Sequence, residues 1–87
     1  MKTLNDFEKK NTIKVLEDAF GCVYSDSSRV IDALSTVFVT IPDISVRVRV
    51  ADLISGICKL DTPLKKQIFV RDNKIVFDFV LGKFKES

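Results

Sequence analysis

Two apolar stripes at helical spacing, parted by a proline, constrain this chain more than any other feature. Val30, Ile31, Leu34, Val37, Phe38 and Ile41 follow i, i+1, i+4, i+7, i+8, i+11, with Arg29, Asp32, Ser35, Thr36 and Thr40 on the other side. That is the pattern of a helix with one buried face. Val39 is the one apolar residue out of place. The run Ser-Asp-Ser-Ser at residues 25–28 offers several N-cap oxygens ahead of this stripe. Pro42 ends it, because the residue before a proline avoids the α region.

Beyond Pro42, Asp43 or Ser45 is placed to cap a second helix. Val46, Val50, Leu53, Ile54, Ile57 and Cys58 form its stripe, with Arg49, Asp52, Ser55 and Lys59 across from it. A competing pattern overlaps its start. Ile44, Val46, Val48 and Val50 alternate with polar residues, as in a strand, and residues 36–41 are rich in β-branched side chains. A hairpin of residues 36–41 with 44–50 about Pro42-Asp43 is the rival structure. It lacks the Asn-Gly or Gly-X chemistry that a tight two-residue hairpin requires. Helices over residues 27–41 and from about 45 to 60 are therefore expected.

Residues 3–20 predict a first helix. Thr3 with Asp6 resembles a capping box, Asp6 and Glu8 suit the positive end of the dipole, and Gly21 is placed to stop it. Its apolar residues lapse at residues 9–11, where a break is expected. In the last third, Thr62 followed by Pro63 marks an N-cap and N1 pair. Residues 66–81 then predict a β-hairpin turning at Asp72-Asn73, with Ile68, Val70, Ile75, Phe77, Phe79 and Leu81 on one apolar face. Read as a helix, the stretch from Asp72 would be apolar on nearly every side. The final six residues read as a short charged tail.

The expected fold is thus α+β: one domain over residues 1–87, three helices followed by a C-terminal β-hairpin. An all-α helical array follows instead if the last third is helical, and two hairpins on two helices if residues 36–50 form strands. With 87 residues, 46% of them hydrophobic and 30% charged, a folded domain is expected whose small core leaves it modest stability.

The chemistry of the chain is narrow. It has no histidine, which excludes imidazole bases, His-based triads and Cys/His zinc sites. Its three glycines are isolated, so no phosphate-cradling loop exists, and its carboxylates are scattered. A non-enzymatic protein without metal or cofactor is expected. Cys22 and Cys58 read as buried free thiols. The charged N-terminal stretch does not read as a signal peptide, and the longest uncharged apolar run is too short to cross a bilayer. The expected location is a reducing intracellular compartment, without membrane attachment.

Two functions from different classes fit these expectations. The order of elements resembles a winged-helix domain, with residues 45–60 as recognition helix and residues 66–81 as wing. Arg47 and Arg49 on the helix, Lys65 and Lys66 at the wing's base, and Arg71 and Lys74 at its tip would then contact nucleic acid. The two arginines of the helix project about 200° apart at 100° per residue, so they cannot act as a tight pair. A net charge of only +2 gives this reading little overall electrostatic support. The alternative is an adaptor or inhibitor module acting by apolar contact with a protein partner, possible also as a homodimer. Val39, Val48, Phe69 and Val80 are its expected outward residues.

Overall fold

A computed structural model describes residues 4–87. It contains six helices: α1 (Asp6–Glu17), α2 (Ala19–Ser25), α3 (Ser27–Thr40), α4 (Ile44–Lys59), α5 (Pro63–Asp72) and α6 (Lys74–Glu86). No strand occurs among the described residues. The two central helices form where the stripes place them, and their caps are side chains of the expected type. The Asp26 carboxylate accepts from the Ser28 N–H at 3.1 Å to start α3. The Asp43 carboxylate accepts from the Ser45 N–H at 2.8 Å to start α4. Thr62 accepts from the Lys65 N–H at 3.2 Å to start α5, with Pro63 in its first turn.

The α+β expectation is wrong, and with it the winged-helix reading. Residues 66–81 are not a hairpin but the end of α5 and most of α6. The chain does turn at Asn73, whose side-chain amide donates to the Phe69 carbonyl at 2.8 Å, but it joins helix to helix. Burial follows the helical period rather than the alternation. Val70, Phe77, Val80 and Phe84 are buried, whereas Ile75 is exposed and Ile68 partly so. The apolar residues all round α6 have a plain cause: α6 packs against α1, α4 and α5 at once. A helix enclosed on several sides needs no single polar face. The supposed tail belongs to the core, since Phe84 is fully buried.

Other expectations are corrected as well. Thr3 lies outside the described residues, and α1 is capped by a full box of Asn5 and Glu8. No break occurs at residues 9–11; the chain bends at Asp18, and Gly21 sits inside α2 with no positive φ. Cys22 is buried, but Cys58 is exposed. Val80 is fully buried and Phe69 half-buried, so neither faces outward.

The helices α1, α3, α4 and α6 touch in a closed ring, each packed on the next. Leu34 and Val37 of α3, Val46, Val50, Leu53 and Ile57 of α4, and Val80 and Phe84 of α6 fill its centre. The shorter pair α2 and α5 pack on each other and lean on α3 and α4 respectively. Gly56 permits that last approach, because the Phe69 ring of α5 lies where a side chain on Gly56 would stand.

Candidate interaction surface

The six basic residues expected at nucleic acid form no common face. Arg47 turns to α3: its Nε donates to the Ile41 carbonyl at 2.8 Å and its guanidinium lies 5.1 Å from the Phe38 ring. Arg49 turns to α6, lying 5.0 Å from the Phe79 ring, with Nη1 donating to the Ser45 carbonyl at 3.0 Å. Lys83 approaches the same ring at 5.7 Å. These two arginines tie α4 to its neighbours on opposite flanks by cation–π contact. Lys65 pairs with Asp61 at 3.0 Å, Arg71 with Asp72 at 3.4 Å and Lys74 with Asp78 at 2.9 Å. Lys66 donates to the Ile57 carbonyl at the end of α4. Only Arg71 and Lys74 come together, in a cleft of 280 Å³ that Glu17 and Asp78 also line. Its charge is mixed, and the exposed ion pairs contribute little.

The apolar pair Val39 and Val48 fares differently. Both are exposed. Val39 lines a shallow groove of 410 Å³ between α3 and α4 together with Ser35, Phe38, Ala51, Ile54 and Ser55, and Val48 lies on α4 one turn before Ala51. The groove continues into a line along α4. Ile44, Val48, Ala51, Ser55 and Cys58 recur at i, i+4, i+7, i+11, i+14, and all are exposed. Ile44 is 73% exposed and Val48 51%. Helix α4 thus carries two apolar lines: Val46, Val50, Leu53 and Ile57 facing the core, and this second one facing solvent. The alternation at residues 44–50 that mimicked a strand is the superposition of the two. Ile44, Ala51 and Cys58 are surface residues that the core stripe does not reveal, although the i, i+4, i+7 spacing from Ile44 is visible in the sequence; Ile54 is half-buried, packing on the core as its stripe predicts while also lining the groove.

Electrostatics at the end of this line is set by the cap. The Ser45 hydroxyl donates to the Asp43 carboxylate at 2.7 Å and, with the backbone N–H bonds at the helix start, holds its pKa below the ordinary 3.8. Asp43 is accordingly an anion at one end of the line, and Lys59 is a cation in the last turn at the other. No group of three or more metal-ligating side chains occurs among the described residues, and no helix there is long and apolar enough to cross a membrane. Compared with known proteins, the chain matches no family model, no curated protein and no solved structure.

Proposed function

We propose that this chain is a protein-interaction module that presents its α3–α4 face to an apolar partner surface. The observation that supports this reading best is the second apolar line of α4, contiguous with the groove beside Phe38 and Val39. Scattered apolar side chains are normal on a protein surface, but a continuous patch along a whole helix marks a contact site. Small residues at Ala51 and Ser55 let a second helix approach closely, with bulkier side chains around them to grip it. Arg47, on the side of this face towards α3, is drawn aside onto the Phe38 ring and the Ile41 carbonyl.

The test is site-specific photo-cross-linking in cells that make the full chain. A photoreactive residue in place of Val39 is expected to yield covalent protein adducts, whereas the same residue in place of the exposed Lys10 of α1 yields none. Absence of adducts at Val39 rejects the module.

A further inference from the structure

We infer that the cleft between α1, α2, α5 and α6 binds a free α-amino acid with an apolar side chain of about the size of leucine. This is a second site. It shares no residue with the α3–α4 groove and does not depend on the interaction-module reading. Small-molecule sites are concave and mostly apolar, with a few convergent polar groups that fix the ligand's orientation. The cleft has that composition. Leu16, Ala19, Val70 and Phe77 give it a lining of core residues, and the half-exposed Phe20 ring adds an aromatic wall. The rest of its lining is charged: Glu17, Arg71, Lys74 and Asp78.

The charges select the head group. Arg71 and Lys74 flank the turn between α5 and α6, Asp78 follows Lys74 by one turn of α6, and Glu17 ends α1. Two cations and two carboxylates leave no net charge. A plain anion meets Glu17 and Asp78, and a plain cation meets Arg71 and Lys74, so neither is favoured. A zwitterion has partners for both its charges, its carboxylate on Arg71 and Lys74 and its ammonium on Asp78 and Glu17. Lys74 Nζ and Asp78 Oδ2 stand 2.9 Å apart, a cation and an anion side by side, which complements the adjacent charges of an α-amino acid. The pairs these groups make in the free protein are Lys74–Asp78, Arg71–Asp72 and Glu17–Lys85, all between exposed side chains. Exposed pairs are weak, so a ligand exchanges them at little cost.

Volume selects the side chain. At about 30 Å³ for each water-sized group, the 280 Å³ of the cleft holds roughly nine non-hydrogen atoms, as many as leucine has. The branched side chain then covers the apolar lining while the head group stays among the charges. Glycine leaves that lining uncovered, and tryptophan overfills the cleft.

The test is an amide chemical-shift titration of the isotope-labelled chain with L-leucine to about 50 mM, well past a millimolar dissociation constant. Saturable shifts are expected at Leu16, Ala19, Val70 and Phe77. N-acetyl-L-leucine lacks the ammonium and L-leucinamide lacks the carboxylate, and each is expected to bind about tenfold or more weakly than leucine. Glycine is expected to give no saturable shift. The double variant Arg71→Ala, Lys74→Ala removes two exposed cations; its circular dichroism spectrum should be unchanged while leucine binding falls by about tenfold or more. Absence of saturable shifts at the cleft overturns the site. Leucinamide binding as tightly as leucine makes the ligand a peptide N-terminus, and acetyl-leucine doing so makes it a peptide C-terminus; either result overturns the free amino acid. Undiminished leucine binding by the double variant overturns the head-group assignment. The α3–α4 reading stands or falls separately, at Val39.

Discussion

Replacing Gly56 and Gly82 by alanine, one at a time, separates helix propensity from close packing. Both glycines are inside helices, Gly56 in α4 and Gly82 in α6, and neither has a positive φ. Alanine therefore restrains the unfolded chain equally at both, a gain of about 0.5–1 kcal/mol. Their surroundings differ. A Cβ at Gly82 meets nothing within 4 Å, whereas one at Gly56 would stand 2.2 Å from Phe69 Cζ and 2.5 Å from its Cε1. Ordinary contact between carbons is about 3.5–4.0 Å, so the ring must retreat by roughly 1.5 Å or α5 must lift from α4. Overpacking of that kind costs about 1–3 kcal/mol. Gly82→Ala is then expected to stabilise by up to about 1 kcal/mol, and Gly56→Ala to destabilise by about 0–2 kcal/mol. The shared backbone gain cancels in the comparison, leaving a gap of about 1–3 kcal/mol due to the ring alone. Urea unfolding followed by far-UV circular dichroism measures both, and at this chain length the gap corresponds to a Tm difference of roughly 4–20 °C. Phe69→Leu shortens the ring and should recover part of the loss in a double-mutant cycle. Equal stabilisation by both alanines would refute the close approach of α5 to α4.

Four further outcomes follow from the same packing. Leu53→Ala, at a nearly fully buried site facing the ring's centre, should cost about 2–5 kcal/mol, while Val48→Ser on the exposed line should change stability by no more than about 0.5 kcal/mol; chemical denaturation tests both. Val80→Ser puts a hydroxyl into the core and is expected to unfold much of the population, the opposite of what an outward Val80 would give. Cys58 should react with a maleimide within the time an exposed thiol takes, and Cys22 only on denaturation, as read by mass spectrometry of timed aliquots. Asp26 and Asp43 have pKa values lowered by hydrogen bonds from Ser28 and Ser45. Their contribution is present above the ordinary value of 3.8 and is lost as pH falls through the lower folded values; Asp43→Asn should flatten part of a Tm-against-pH curve below about pH 4, and an unchanged curve counts against the cap.

Sequence periodicity carried α3 and α4 almost to the residue, and the caps at Thr62 and Asp43 were legible because a side-chain oxygen before a helix serves one local purpose. The last third was misread for a physical reason. Phe77, Val80 and Phe84 lie at helical spacing, yet their neighbours Ile75, Val76, Phe79 and Leu81 blur it, because a helix surrounded by others is not required to keep a polar side. Only the tertiary arrangement reveals that enclosure. The surface was misread by the same ambiguity: Cys58 was counted with Ile57, although one residue turns it about 100° onto the outward line. The two arginines of α4 were correctly separated around the axis, but nothing local showed that aromatic rings on α3 and α6 would hold them.

The enclosure of α6 also has a consequence in time. Helices α3 and α4, joined by residues 41–43, can meet early, since a short loop closes at little entropic cost. The ring, however, is shut only when α6 reaches α1, a meeting across the chain where Lys85 and Glu17 stand 68 positions apart at 3.2 Å. Long-range closure of this kind belongs late in folding. Truncating Leu34 or Leu53 should therefore slow folding, whereas truncating Phe84 should leave the folding rate nearly unchanged and hasten unfolding instead. Stopped-flow chevrons distinguish the two, and the lifetime of the native protein is then governed by the grip of its last helix.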